Sequence, residues 1–285
     1  MREIEIFGVD FSGAKSDRQT WLARGVSDGV QLHLQDCRTI SRAQLTDLLI
    51  NIAGPTIAAL DFPFSVPHSF ARFWMPDATA MPDLWTGAQE LSLDDFMALR
   101  NQFVAQHGEP KRLADTYHPE SYSCLHLVNP NLVPMTFRGM QMLHQLWQAG
   151  CSVPPLPDEL PDELDVAHRN GPLLLEVMPG AALKAFGLPY KGYKNGVRAG
   201  QLRRQILDQL SQASTVSIQG LAEMHDQCLA SHDCLDAIVA AVVAALWHRD
   251  ARLFRAPSPP GQTGYDPVTL LEGWLYAPVF LRRGQ

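Results

Sequence analysis

The chain has 285 residues, 46% of them hydrophobic, and a formal charge of −7 from 23 basic and 30 acidic side chains. This is an ordinary globular composition with enough length to bury a real core, which excludes a disordered chain. The negative balance argues against wholesale coating of a nucleic acid while leaving a local basic face open, and no apolar stretch is long enough to span a bilayer.

Residues 3–10 alternate as a strand and end abruptly in Asp10, followed by the small residues of "FSGAK". "QTWLARGVS" (19–27) and "GVQLHLQDC" (29–37) read as two more strands. Asp28-Gly29 between them is a hairpin signal, because Gly tolerates positive φ. Ser41 opens an amphipathic helix with Leu45, Leu48, Leu49 and Ile52 at helical spacing, closed by Gly54-Pro55. "TIAALDF" is a buried strand that stops at Asp61. The hairpin makes the first three strands antiparallel, and the helical crossover lets the fourth lie parallel to the first.

Residues 63–170 are proline-dense and read as a largely helical insertion within a single domain spanning 1–285, with helices over 93–107 and 137–150 and an acidic, proline-rich connector at 153–165. Strand character returns in "GPLLLEVMPG" (171–180), then a Gly- and Lys-rich loop (187–200) and a helix over about 199–212. "DCLDAIVAAVVAALWH" (233–248) is apolar nearly all round, the mark of a buried helix. The tail carries turn signals at Pro257, Pro259-Pro260-Gly261 and Gly264 and then the aromatic segment "LLEGWLYAPVF". Met1-Arg2-Glu3-Ile4 does not read as a signal peptide. Cys37, Cys124, Cys151, Cys228 and Cys234 form no C-x-x-C pair, which argues against structural zinc and fits a reducing cytoplasm.

Carboxylates interrupt apolar sequence at four places: Asp10, Asp61, Glu176 inside "LLLEV", and Asp233 with Asp236 at the start of the most buried helix. Burying such groups is costly unless they are paired, hydrogen-bonded or bound to a cation. In sheets with helical crossovers, functional groups collect beyond the carboxyl ends of the strands, where Asp10 and Asp61 both fall. Asp233 and Asp236 share one helix face. Clustered carboxylates call for a hard divalent cation, Mg²⁺ or Mn²⁺, which activates water for phosphodiester hydrolysis. Each group also has a plainer reading. Asp10 caps a turn by accepting from the Ser12 and Gly13 amides, Asp61 holds an Asx turn, Glu176 pairs with an arginine, and Asp233 caps its helix with Asp236 on the dipole.

"GVDFSGAK", "ALDFPFSVP", "LLLEVMPGAAL" and "HDCLDAIVAAVVAAL", with "EGWLYAP" in the tail, together resemble the DUF429 family, described as predicted nucleases with the ribonuclease H fold. The D-x-x-D-A pattern is also similar to the last motif of Holliday-junction resolvases. The resemblance implies a ribonuclease H-like mixed sheet flanked by helices. It implies an acidic site of Asp10, Asp61, Glu176, Asp233 and Asp236; the leading reading has Asp10, Asp61 and Asp236 bind Mg²⁺ or Mn²⁺, with Glu176 and Asp233 completing the shell or positioning the water. The implied partner is a nucleic acid, DNA or RNA.

No acidic residue lies between Glu176 and Asp208, whereas Lys184, Lys191, Lys194, Arg198, Arg203 and Arg204 do. Lys191 and Lys194, with Lys15 after the first strand, are the candidate phosphate contacts, and Tyr190 and Tyr193 offer faces for bases. The plain alternative is a solvated helix face and an exposed loop. His232 beside Asp233 is a candidate acid, base or ordering group, or simply a surface residue at a helix start. Two rival functions stay open: ATP-dependent phosphotransfer, with "DFSGAK" as a phosphate loop, and a catalytically inactive binding protein that keeps the fold.

Overall fold

The computed structural model describes residues 2–127, 131–156, 171–258 and 266–279. The first half runs β1 (Ile4–Asp10), β2 (Thr20–Ser27), β3 (Gln31–Ile40), α1 (Arg42–Asn51) and β4 (Thr56–Asp61). Then come α2 (His68–Trp74), α3 (Met81–Glu90), α4 (Leu93–His107), α5 (Leu113–Thr116) and α6 (Leu132–Gln148). The second half holds β5 (Leu173–Glu176), α7 (Pro179–Ala185), α8 (Ala199–Ser214), β6 (Ser217–Gln219), α9 (His225–Ala230), α10 (His232–Arg249) and α11 (Pro267–Glu272).

The strands form one sheet in the order β5-β4-β1-β2-β3-β6. β1, β2 and β3 are successively antiparallel, joined where Gly29 takes a φ of 88°, and β4 lies parallel to β1 and β5 parallel to β4. This is the mixed sheet expected from the hairpin and the helical crossover. Ser41 caps α1 in a capping box with Gln44, so the expected helix start is met.

Side chains alternate across a strand, and here the alternation sorts the core into two layers. Ile4, Ile6, Ile57, Ala59, Leu173 and Leu175 face one side, packed with α10. Phe7, Val9, Ala58, Leu60 and Leu174 face the other, packed with α3, α6 and the rest of the segment after β4. Every residue of α10 from Cys234 to Trp247 is buried. It crosses β1 so closely that a Cβ on Gly8 would sit 2.1 Å from the Ala237 carbonyl oxygen and 2.2 Å from the Ala241 nitrogen. Only glycine permits that approach.

Several expected elements shift. The helix placed at 137–150 begins at Leu132, and the strand placed at 171–180 stops at Glu176 because Pro179 opens α7. α2, α3 and β6 were not anticipated. α3 carries Pro82 in its first turn, where proline suits a helix. Trp85 donates to the Phe64 carbonyl at 2.8 Å and is core, as is Met81. The connector from 157 onward and the turn signals at 259–264 fall outside the described residues. Among the described residues no helix is long and apolar enough to cross a membrane.

Candidate metal centre

β1 and β4 are in register with Asp10 beside Asp61, at the carboxyl ends of two parallel strands. Counting back in steps of two through Gly8, Ile6 and Ile4, and through Ala59 and Ile57, puts both carboxylates on the α10 face. α10 then delivers Asp236 from its first turns, just ahead of the Gly8 crossing at Ala237. One carboxylate oxygen from each of Asp10, Asp61 and Asp236 lies within 4.8 Å of the others. Asp10 does not cap the turn that follows it: the Ser12 amide donates to Thr20 Oγ1 at 3.1 Å instead.

Asp236 is fully buried. Its Oδ1 accepts from the Tyr193 hydroxyl at 2.8 Å. Its Oδ2 has no well-aligned hydrogen-bond donor, although the Lys194 ammonium lies 2.8 Å away as an ion pair. Tyr193 is itself buried and its carbonyl accepts from Arg203 at 2.7 Å, so it is a wall of the site and not a stacking face. Lys194 reaches in from the surface with its side chain 49% exposed.

The electrostatics follow from this crowding. Burial, then the charges of Asp236 and Asp61, push the Asp10 carboxyl well above the ordinary range. Asp61 is pushed up to about 7, first by burial and further by Asp236, with Lys194 acting against the shift. Burial disfavours the Lys194 charge, but Asp236, Asp61 and Asp10 outweigh it and hold its pKa above the usual lysine value. Asp233 is hydrogen-bonded to Asp10 at the edge of this group but offers no oxygen to the three-carboxylate cluster. Burial works against its charge, but the His232 contact, 3.0 Å to Oδ1, outweighs burial and keeps its pKa low. Neither Asp233 nor Asp236 caps α10: Ser231 does, accepting from the Cys234 amide.

Glu176 corrects the expectation that all five carboxylates meet. In β5 it has the parity of Leu174, and it pairs in register with Leu60, so it faces the other layer. There Arg112 grips both of its oxygens and the Phe64 amide donates to Oε2 at 2.9 Å. Arg112 also binds Asp115 through two bonds, at 3.0 and 3.1 Å. Glu272 closes the same region by accepting from the His68 amide at 2.6 Å and the Leu113 amide at 2.5 Å. The plainer reading of Glu176, an arginine pair, is the one the structure shows.

Of the other cations, Lys15 and Lys191 are exposed. Lys191 rests over the Tyr190 ring at 5.4 Å, shared with Lys184 at 5.6 Å. Lys184 also pairs with Glu120 at 2.6 Å. Arg203 is committed to backbone carbonyls of Tyr193 and Leu229. The residues that sequence reasoning undervalued are Gly8 and Tyr193. A glycine two positions before a strand-end carboxylate is the available signal for the first; the second needs the tertiary fold.

The DUF429 family model, described as a protein of unknown function, matches residues 158–260. The family resemblance is thus borne out over that span, which holds Glu176, Tyr193, Lys194, Asp233 and Asp236 but not Asp10 or Asp61. No curated protein and no solved structure matches the chain.

Proposed function

We propose that this chain is a ribonuclease H-like, divalent-cation-dependent phosphodiesterase acting on nucleic acid. The antiparallel β1–β3 beside parallel β4 and β5 supports the fold assignment. The single observation that carries the activity is the convergence of Asp10, Asp61 and Asp236, together with a buried, under-bonded Asp236 Oδ2. An all-oxygen donor set of carboxylates suits Mg²⁺ or Mn²⁺ better than a soft metal. When bound there, such an ion supplies Lewis-acid polarisation of a phosphoryl oxygen and lowers the pKa of water.

The protein's own residues do the rest. Asp10, Asp61 and Asp236 hold the ion at the end of the sheet. Asp233, kept ionised by His232 and adjacent to Asp10, accepts a hydrogen bond from the attacking water and orients it. Water oxygen bonds to phosphorus and gives up a proton by way of Asp233 to solvent, the ester P–O bond breaks, and the leaving oxygen takes a proton from solvent. Lys194, beside the carboxylates, and the exposed Lys191 and Lys15 are assigned to phosphate oxygens of the substrate. Tyr193 fixes Asp236 so that it cannot turn away. Glu176 receives no role in this chemistry, because Arg112 and Phe64 take its oxygens.

The test is cleavage of labelled single- and double-stranded DNA and RNA with Mg²⁺ or Mn²⁺, against a chelator control. Loss of at least about a hundredfold in rate is expected for Asp10→Asn, since a ligand is removed from charge developing at phosphorus. Equal activity in Asp10→Asn and wild type sinks the assignment.

A further inference from the structure

We infer that Lys194 is a resident counter-ion of the carboxylate cluster, holding the place that a divalent cation takes and leaving it when the cation binds. The inference rests on the cation-site reading above and concerns how that site is filled.

Three carboxylate oxygens within 4.8 Å of one another repel strongly. Something positive must stand among them in the cation-free protein, and Lys194 is the group that does, 2.8 Å from Asp236 Oδ2. That oxygen is fully buried and otherwise lacks a hydrogen-bond donor. It is therefore both the anchor of Lys194 and the most available inner ligand for a metal. An ammonium and a divalent cation cannot share it without like-charge repulsion at contact distance.

The lysine is built to leave. It meets Asp236 as a point charge, with the Tyr193 ring 5.8 Å away, where an arginine would make a fork. Its side chain stays half exposed, so its way out is through solvent. Its backbone lies between Gly192 and Gly196, both at positive φ (77° and 103°), and Asn195, Gly196 and Val197 after it are exposed. Tyr193 just before it is held at both ends, by Asp236 and by Arg203, so the loop stays anchored while the side chain moves. Released, the ammonium is free for the phosphate contact assigned to it above.

Two measurements on the full chain test this. Mn²⁺ binding is measured by calorimetry at pH 8 for wild type, Lys194→Met and Lys194→Arg. Removing a competing charge should tighten binding about tenfold in Lys194→Met, while Lys194→Arg stays within a few-fold of wild type. In wild type alone, acylation of Lys194 by an amine-reactive reagent is followed by mass spectrometry, with exposed Lys191 as the internal reference. Lys194 should react more slowly than Lys191 without metal and faster once Mn²⁺ is added. Unchanged or weaker Mn²⁺ binding in a folded Lys194→Met overturns the inference. So does Mn²⁺ that leaves Lys194 labelling unchanged or lowers it, whatever the variant's stability. Wild type that binds no Mn²⁺ overturns the cation-site reading as well, whereas wild type that binds Mn²⁺ with Lys194 still protected overturns the counter-ion role alone.

Discussion

Arg112→Met should be one of the most damaging single changes in the protein, and it should do nothing specific to cation binding. Arg112, Asp115 and Glu176 have side chains only 2%, 5% and 3% exposed. The guanidinium donates to both carboxylates and to the Glu272 carbonyl at 3.2 Å. Burial alone disfavours the Arg112 charge, but Asp115 and Glu176 outweigh it and hold it firmly ionised. Methionine fills much of the volume but leaves two carboxylates without a counter-charge. Breaking a buried ion pair from one side costs about 3–5 kcal/mol. For a chain of this size that is a fall of roughly 5–10 °C in melting temperature. Urea and thermal unfolding followed by circular dichroism measure it directly. The companion variant Glu176→Gln keeps the shape and should also lose stability, yet bind Mn²⁺ within about twofold of wild type, a change under about 0.5 kcal/mol. A loss under about 1 kcal/mol for Arg112→Met, typical of a surface pair, refutes the account of the network. Glu176→Gln that abolishes Mn²⁺ binding, as Asp10→Asn is expected to, refutes the strand-parity argument.

Asp61 carries a pH prediction. With its folded-state pKa raised to about 7 and an unfolded value near 4, the native state holds a proton that the unfolded chain has lost, so cation-free stability falls as pH rises through about 4 to 7. Asp61→Asn should therefore gain on wild type across that window and hold a constant gap above it; a gap independent of pH, measured by thermal melts without metal, contradicts the shift. Mn²⁺ at pH 8 should restore wild type and leave Asp61→Asn nearly unmoved. Gly8→Ala drives a Cβ into backbone atoms of α10 at 2.1 and 2.2 Å, beyond the overlap that repacking absorbs for about 1–3 kcal/mol. It should yield insoluble protein or protein that no longer binds Mn²⁺, whereas Gly180→Ala, with no atom within 4 Å of the new Cβ, should express and melt like wild type.

What the sequence made legible was local. Asp10 and Asp61 stand out because each ends an apolar run, and register then sets them side by side. The hairpin at Asp28-Gly29 and the helix start at Ser41 are short-range chemistry and read correctly. Glu176 misled because "LLLEV" is apolar on both faces, so no alternation betrays which side a residue takes; only pairing with β4 fixes it. Tyr193 and Lys194 were visible as part of a basic, aromatic loop. Their approach to Asp236 depends on how α8 and α10 are placed, which no spacing along the chain encodes. β6, at three residues, is too short for any periodic signal.

The two faces of the sheet carry two acidic clusters, one buried throughout and one buried at Asp236 and half-buried at Asp10 and Asp61, that differ in the cation closing each. On one face Arg112 makes a fork to Asp115 and Glu176, and its side chain is 2% exposed. Guanidinium cannot lose its proton and cannot leave without stranding two carboxylates, so this cluster is a permanent tie between α5, β5 and the tail that carries Glu272. On the other face a lysine meets Asp236 from a half-exposed position, and burial and mutual repulsion raise the pKa of both Asp10 and Asp61. An ammonium on a flexible stem is an exchangeable charge. The same physical requirement, that buried carboxylates be neutralised, is thus met irreversibly where the chain needs a staple and reversibly where strand ends, α10 and solvent converge. That difference, more than the mere presence of acidic residues, is why the Asp10, Asp61 and Asp236 cluster is assigned the cation chemistry and the Glu176 cluster is not.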